Sequence, residues 1–452
     1  MSETAAQALP QRSLASIGAI TIIIGIVVGA GIFRTPSLVA SVTGDMGWVM
    51  TVWVLGGVIS LIGALCYAEL ATTYPHAGGD YHFLSRAYGR NISFLYAWAK
   101  AMVINTGSIA LLAFVFGDYL STLWSLGTHS AAWWALMIVL ALTAVNILGL
   151  TFASKLQTFF TFFVFFGLLL VAMSVFWIDT PASITPPAFS STPPLGLLGL
   201  AMVFVLLTFG GWNESAYISA ELKGGSRAMV GVIVISLALI TVLYLLINMA
   251  LLKGLGLPAL ASSQTAAADL AQRGLGPWAD LIVATLVALA ALTSINATMI
   301  VGARSNYALG QDWQGLKTLG QWEPNRSTPV SAYMIQSVIA MALFGLGSLY
   351  ADGFEAMVEF TAPVFWGFLC LVGLALMRLR QIDPNTPRPF KVPLYPVLPI
   401  IFCLTCAYLT YSSIMYAQSQ GAIHVSFLVM AAGVVALGFL IVRQRRAGKL
   451  EA

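Results

Sequence analysis

The stretch Gly29-Ala30-Gly31-Ile32-Phe33 lies inside the first long apolar segment of the chain, and a second glycine-rich stretch, Phe209-Gly210-Gly211-Trp212, lies inside a corresponding segment of the second half. Glycine-rich sequence favours a break in a helix, and a backbone that unwinds in lipid leaves N–H and C=O groups unpaired unless something polar binds them. Two such breaks at corresponding positions indicate the substrate site of an inverted-repeat transporter, near the membrane midplane.

The composition is that of a membrane protein. Of the 452 residues, 59% are hydrophobic and 8% are charged, whereas about 25% of the residues of soluble domains are charged. A transmembrane helix needs about 20 mainly apolar residues. Twelve such segments can be counted, at residues 17–40, 46–69, 92–117, 131–150, 156–177, 196–220, 229–252, 278–303, 328–350, 354–377, 394–417 and 422–442. The sequence therefore predicts an all-α integral membrane protein with 12 transmembrane helices, of which helices 1 and 6 are discontinuous.

The two breaks also predict how the helices are organised. We expect a single transporter domain over residues 1–452, with repeat one at about 14–177, repeat two at about 195–378 and two extra C-terminal helices at about 392–442. Because each repeat has five crossings, the two broken helices run in opposite directions and their breaks meet near the midplane. Exposed N–H groups at the start of a half-helix favour a carboxylate, and exposed C=O groups at the end of one favour an ammonium. An α-amino acid carries both groups on one carbon.

The basic residues predict the orientation in the membrane. With the N-terminus inside, all of the 21 Lys and Arg residues except Arg34, Lys100, Lys253 and Arg273 fall on the cytoplasmic side. Because Lys and Arg concentrate in cytoplasmic loops, both termini are predicted to be cytoplasmic. The protein is expected to be a multi-pass protein of the plasma (inner) membrane and to contact membrane lipid. The formal charge of +4 is then explained by the orientation of the protein in the membrane, and no nucleic-acid partner is expected.

Several classes of protein are disfavoured by the absence of their motifs. The sequence has no Walker loop, no Gly-x-Ser-x-Gly elbow and no Cys/His spacing typical of a metal site, so we expect no enzyme activity, no cofactor and no metal centre. A channel is the competing interpretation, but no repeated pore loop is present and paired breaks favour an occluded site.

Motifs along the chain resemble one transporter family in the same order. The stretch 29–33 resembles the first-helix motif of the amino acid–polyamine–organocation (APC) superfamily. Residues 67–70 (Tyr-Ala-Glu-Leu) with 75–81 (Pro-His-Ala-Gly-Gly-Asp-Tyr), and residues 209–213 with the later Glu221-Leu222, resemble its bacterial L-type amino-acid transporter branch, and Arg304 fits as well. The resemblance implies a five-plus-five inverted-repeat fold and alternating access. It also implies an amino-acid exchanger or proton-coupled symporter.

The resemblance also implies site residues. The carboxylate side of the site is implied to be lined by Val28, Gly29, Ala30, Gly31 and Ile32. Carbonyl groups for the α-ammonium are implied at Phe209, Gly210 and Gly211, with Trp212 packing at the break or closing the pocket.

The sequence is compatible with either H⁺ or Na⁺ as the coupling ion. Members of the family often have a lysine in the fifth helix seven residues after a glutamine, but counting from Gln157 that position here is Val164. Thr293 and Ser294 in the eighth segment can ligate Na⁺ together with carbonyls of the first helix, or can simply bond back to a carbonyl of their own helix.

Three charged residues in or beside the apolar segments are further candidates for coupling or gating. Lys100 either serves a function inside the membrane or snorkels to the cytoplasmic surface, and its candidate partners are Glu69, Glu214 and Glu221. Glu214 follows the second break, where it can select cationic substrates, pair with Lys100 or accept a proton. A cationic amino-acid or polyamine transporter, with Glu214 as selectivity residue, is therefore the alternative function. Glu69 is expected to form a gate ion pair with Arg86 or Arg304, or an ordinary interfacial pair.

Two expectations concern the surface. Asp80–Tyr88 is amphipathic, which predicts a short helix lying on the membrane surface. Some animal relatives of the branch carry a covalently attached heavy subunit, but residues 118–130, the outer loop between the third and fourth segments, contain no cysteine. No disulfide-linked heavy subunit is therefore expected.

Overall fold

The computed structural model describes residues 15–446 other than 77, 179–188, 191, 219–221, 264, 324–325, 327, 348–352 and 420–422. Within these residues the chain is mainly helical, and an isolated β-bridge joins Glu323 and Thr328. The α-helices are α1 (Ser16–Val27), α2 (Gly31–Thr43), α3 (Met46–Thr73), α4 (Asp80–Tyr88), α5 (Arg90–Ala99), α6 (Asn105–Leu123), α7 (Ser130–Leu148), α8 (Leu150–Met173), α9 (Leu195–Thr208), α10 (Ser215–Ile218), α11 (Gly225–Leu255), α12 (Leu257–Ser262), α13 (Ala266–Leu275), α14 (Ala279–Asp312), α15 (Val330–Gly347), α16 (Gly353–Ile382), α17 (Val397–Ser419) and α18 (Ile423–Arg446).

Most of these helices are long and apolar enough to cross a membrane. In the described part of the chain, ten helical segments meet that requirement, and α1 and α2 form an eleventh as a pair bent by 47° at the first break. The apolar helix α15 is shorter, and it coincides with the ninth of the twelve segments counted in the sequence. An all-α membrane protein is thus confirmed, whereas the count of twelve crossings stays a prediction.

The broken helices lie at the centre of the helix packing. Helix α1 packs against α8, α11 and α14, and α2 packs against α9, so the parts of the chain next to the two breaks are neighbours. Helix α6 lies along α14, and α3 lies along α11. This arrangement surrounds both breaks with long helices and brings side chains of α6, α11 and α14 close to them.

Helix α4 begins and ends where the sequence predicted, and its apolar face packs against other helices of the protein. Asp80, Tyr81, Phe83, Leu84 and Ala87 are buried, and the helix packs against α5 and α16. Protein therefore covers the apolar face of α4, and the location of the helix relative to the membrane surface stays a prediction. Amphipathic periodicity indicates that the apolar face of a helix is buried, but it does not show whether lipid or protein buries it.

Candidate functional site

The two breaks open into one cavity. The first lies between the end of α1 at Val27 and the start of α2 at Gly31, and the second follows the end of α9 at Thr208. The cavity has a volume of about 200 Å³, whereas a single water needs roughly 15 Å³. It is lined from the breaks by Gly29, Ala30, Gly31, Gly210, Gly211 and Glu214, and from α6 and α14 by residues that include Asn105, Ser108 and Ser294.

The first break leaves hydrogen-bond donors available. The N–H of Val28 donates to the Ile24 carbonyl at 2.7 Å and that of Gly29 to the Val27 carbonyl at 2.8 Å. No described residue accepts a hydrogen bond from the N–H groups of Ala30, Gly31 or Ile32. These groups belong to the first turn of α2, where a helix has no internal partners for its donors and carries partial positive charge.

The second break leaves hydrogen-bond acceptors available. The Gly211 carbonyl accepts from the Glu214 N–H at 3.0 Å, whereas the carbonyl groups of Phe209 and Gly210 accept no hydrogen bond from a described residue. Gly211 has φ +106°, a left-handed conformation that favours glycine. Ala30, Gly31 and Gly210 line the cavity, so one wall offers N–H groups and another offers a carbonyl group.

Tyr244 on α11 joins the two breaks. Its hydroxyl group lies 2.9 Å from the carbonyl oxygen of Val27 and 3.1 Å from that of Thr208, which are the last residues of the two half-helices before the breaks. The side chain is fully buried, and its ring packs edge-on against the rings of Trp53 and Phe209. No sequence motif pointed to Tyr244. The available signal was a tyrosine in the middle of an apolar segment, away from the membrane interfaces where tyrosines concentrate.

Replacing Tyr244 with phenylalanine is expected to raise the KM for uptake about tenfold, equivalent to about 1.4 kcal/mol, because the half-helix ends lose their shared donor. The KM of the purified protein in proteoliposomes measures this. Tyr408→Phe is the matched control, since the Tyr408 hydroxyl also donates to a carbonyl, that of Leu195, but outside the cavity. Equal effects of the two substitutions would contradict a special role for Tyr244.

A pair of threonines also connects the half-helices. The hydroxyl groups of Thr35 on α2 and Thr208 on α9 lie 2.7 Å apart, and both are buried. A Cβ atom on Gly31 would lie 3.1 Å from the Thr208 hydroxyl oxygen, which leaves little space for a side chain. The absence of a side chain at Gly31 therefore lets α2 and α9 approach closely beside the cavity.

Lys100 and Glu214 form an ion pair at the cavity wall. The ammonium of Lys100 lies 3.1 and 3.0 Å from the two carboxylate oxygens of Glu214. The Lys100 side chain is 2% exposed and that of Glu214 13% exposed, and of the two only Glu214 lines the cavity. Lys100 therefore points into the protein and does not snorkel. It lies in a short π-helical stretch, Lys100–Ile104, and π-helical turns occur frequently at functional sites.

Asp80 is a second buried carboxyl group, near enough to Lys100 for the lysine charge to lower its pKa. The Tyr96 hydroxyl donates to Asp80 Oδ2 at 2.8 Å, and the Tyr96 ring lies 5.7 Å from the Lys100 ammonium. Asp80 is 2% exposed. Burial is the largest influence on its pKa and, together with the charge of Glu214, raises it to about 6 against the opposing effects of Lys100, Tyr96 and Tyr67.

The hydroxyl groups considered for an ion site lie between α1 and α14. Thr293 donates back to the Ala290 carbonyl of its own helix at 2.8 Å, and Ser294 lies 3.5 Å from the Gly25 carbonyl of α1. Of these two hydroxyls only that of Ser294 reaches the cavity. Val164, at the position of the family's lysine, is a buried apolar residue.

Four of the expected site residues lie behind the cavity wall. Val28, Ile32 and Phe209 are buried and do not line the cavity. Trp212 packs edge-on against Tyr67 and against Phe402 on α17. These side chains hold the shape of the breaks, while the backbone of the neighbouring glycines faces the cavity.

Glu69 lies elsewhere and has partners other than the expected ones. Its carboxylate accepts from Arg380 on α16 at 2.8 Å and from the Val392 N–H at 2.6 Å, and Arg388 lies 3.5 Å away. Arg86 instead pairs with Asp383 at 2.7 Å. The expected pairing of Glu69 with Arg86 or Arg304 is wrong, because the segment after α16 folds back over the end of α3. Glu221, a candidate partner of Lys100, lies outside the described residues.

Comparisons with known proteins agree with this architecture. The sequence model of the family described as amino acid permease matches residues 14–439. The b(0,+)-type amino acid transporter 1 of Mus musculus is 30% identical over 412 residues, covering 90% of this chain and 83% of that protein. The cystine/glutamate transporter of Homo sapiens is 26% identical, covering 96% and 86%. The large neutral amino acids transporter small subunit 2 of Rattus norvegicus is 28% identical, covering 95% and 81%. The chain belongs to the amino acid permease family of the APC superfamily.

Proposed function

We propose that this protein carries amino acids across the plasma membrane by alternating access, as an exchanger or a proton-coupled symporter with a five-plus-five inverted repeat. One observation carries the proposal: the cavity is lined by Ala30 and Gly31, whose N–H groups have no described acceptor, and by Gly210, whose carbonyl group accepts from no described residue. The first set suits a carboxylate and the second an ammonium, so the pair suits a zwitterion.

The cavity is proposed to open outward. It extends along Thr35 of α2 and along Leu207 and Thr208 of α9, which lie in the outer half of the membrane if both termini are cytoplasmic. On the opposite side, α4 is buried against α5 and α16, and the pairs Glu69–Arg380 and Arg86–Asp383 join separate parts of the chain. These contacts support a closed cytoplasmic side.

Neutral amino acids are the proposed substrates. Glu214 lines the cavity, but both of its carboxylate oxygens already bind Lys100, so its charge is compensated inside the protein. The names of the relatives include a carrier of large neutral amino acids. The alternative, a carrier of cationic amino acids or polyamines, rests on the position of Glu214 at the cavity wall.

The direct test is uptake into proteoliposomes of a panel of radiolabelled neutral and cationic amino acids and polyamines, with and without internal substrate. We expect uptake of neutral amino acids that accelerates when the same amino acid is loaded inside. A carrier with bound substrate reorients across the membrane faster than an empty carrier does. Uptake that does not respond to internal substrate would favour a channel. A response restricted to lysine, arginine or polyamines would favour the alternative.

Replacing Glu214 with glutamine separates the two substrate classes. Because this change removes the carboxylate charge that binds the buried ammonium of Lys100, we expect the uptake of neutral and cationic amino acids to fall together, each by about tenfold or more. The measurement is the ratio of leucine to lysine uptake in the variant and in the wild type. Selective loss of lysine uptake would instead identify Glu214 as the residue that selects cations.

A further inference from the structure

A smaller cavity also adjoins the second break. Its volume is about 10 Å³, which is close to the space that one water molecule needs, roughly 10–15 Å³. Helices α3, α9, α16 and α17 form its walls together with the break, and most of the lining side chains are apolar. Gly210 and Phe365 line both this small cavity and the large one, so they lie between the two.

Two buried polar side chains in the wall of the small cavity lack hydrogen-bond partners. Ser60 on α3 is 2% exposed and Trp366 on α16 is 3% exposed. Neither the Ser60 hydroxyl group nor the indole N–H of Trp366 bonds to a described residue. In the interior of a membrane protein an unpaired donor is unfavourable, because neither lipid nor an apolar side chain replaces its lost hydrogen bond to water. Both groups therefore need a partner that the described residues do not provide.

The second break offers acceptors at the same small cavity. Gly210 and Leu206 both line it, and no described residue donates a hydrogen bond to the carbonyl group of either. In a regular helix the N–H of Gly210 would bond to the Leu206 carbonyl, but here it donates to the Leu207 carbonyl at 2.9 Å. The walls thus combine two donors, from α3 and α16, with the carbonyl groups of a broken helix end.

We propose that the small cavity binds one water molecule, which joins α3 and α16 to the second break. The water accepts a hydrogen bond from the indole N–H of Trp366 and shares one with the Ser60 hydroxyl group. It donates to a carbonyl group of the break, at Leu206 or Gly210. Buried waters typically make about three hydrogen bonds to polar groups that are otherwise unpaired, and these walls supply that number. The volume of the cavity excludes a larger ligand.

This water fixes one wall of the large cavity, because Gly210 belongs to both cavities. Ser60 and Trp366 line only the small cavity, so they act as positioning residues: they hold the backbone that faces the substrate. The effect on uptake rests on the proposed function, whereas the water site itself does not depend on any substrate.

Nuclear magnetic resonance of the indole N–H groups tests the site without substrate. In the whole protein with isotopically labelled tryptophan, the Trp366 signal is the one that disappears in Trp366→Phe. We expect a nuclear Overhauser cross-peak between this indole proton and water in the wild type. In Ser60→Ala the cross-peak is expected to be lost, because the water loses one of its partners. Its absence from the wild type, or its persistence in Ser60→Ala, would overturn the proposal.

Ser413→Ala is the matched control for Ser60→Ala. Ser413 on α17 is also buried, and its hydroxyl group also has no partner among the described residues, but it lines neither cavity. We expect this variant to keep the cross-peak of Trp366. Loss of the cross-peak in both serine variants would contradict a water held by Ser60.

A structure that resolves ordered waters keeps the test valid if Trp366→Phe does not fold. Cryo-electron microscopy of the wild type with a bound antibody fragment is expected to show density within about 3.2 Å of both Ser60 Oγ and Trp366 Nε1. Well-resolved side chains without such density would refute the site.

Uptake kinetics connect the site to transport. We expect Ser60→Ala to raise the KM for leucine about threefold with little change in the maximal rate, because a carbonyl group that is held less firmly binds the ammonium more weakly. Ser413→Ala is expected to change neither quantity. An unchanged KM in Ser60→Ala would contradict the positioning role. If the cross-peak behaves as expected but no member of the amino-acid panel is transported, the proposed function fails and the water site stands.

Discussion

Replacement of Gly211 with alanine is expected to reduce uptake to the background of empty liposomes. A Cβ atom at this position would lie 2.4 Å from the Ile26 side chain of α1, and φ is +106°, a conformation that alanine rarely adopts. The overlap costs about 1–3 kcal/mol and the backbone strain costs a similar amount. Relief requires the two breaks to move apart, which enlarges the site and separates its donors from its acceptors. Uptake by equal amounts of reconstituted protein measures the effect.

Gly196→Ala is the matched control for this substitution. Gly196 lies near the start of α9, the helix that leads into the same break, and no atom lies within 4 Å of the Cβ that alanine would add. We expect wild-type uptake from this variant. Near-normal uptake by Gly211→Ala would show that the close approach of the second break to α1 is not needed for transport.

Replacement of Lys100 with methionine is expected to lower the free energy of unfolding by about 3–5 kcal/mol and to abolish uptake. Methionine keeps most of the volume but removes the ammonium, so Glu214 loses the positive charge bound to its carboxylate and Asp80 loses a positive charge that lowers its pKa. Thermal unfolding in detergent, followed by the fluorescence of a thiol-reactive dye at the buried cysteines, measures the loss.

The double variant Lys100→Met with Glu214→Gln isolates the contribution of the pair. Because it removes both charges, we expect it to regain more than half of the stability lost in Lys100→Met while remaining inactive in transport. If the two substitutions destabilise the protein additively, the ion pair contributes no coupling energy and the interaction seen in the structure is not important for folding.

The sequence predicted the fold where a single segment carries the information. Each break is encoded by consecutive glycines within an apolar run, so α1, α2 and α9 could be located without any knowledge of their neighbours. The cavity walls at Gly29–Gly31 and Gly210–Gly211 follow from the same signal. The bounds of α4 could also be predicted, because its amphipathic pattern is local.

What could not be predicted depends on which segments meet in space. Lys100 had three candidate carboxylates, and its contact with Glu214 depends on the packing of the third span beside the second break. Glu69 was assigned the wrong arginines because its partners lie at the end of α16 and just after it, more than 300 positions along the chain. Tyr244 carries no local motif at all: its role comes from two carbonyl groups that lie on other helices. The burial of α4 has the same origin, since it depends on α16.

The π-helical stretch at Lys100–Ile104 has a consequence for how this span can change in evolution. In a regular α-helix, residues five apart point about 140° away from each other. Here the N–H of Asn105 bonds to the carbonyl of Lys100, five residues earlier, and this wider turn aligns the two positions more closely along the span. Lys100 can thus face Glu214 while Asn105 faces the cavity. The π-helical turn contains one residue more than a regular α-helical turn. Deleting one residue from Lys100–Ile104 would rotate Lys100 away from Glu214 or Asn105 away from the cavity, while leaving the other residue in place.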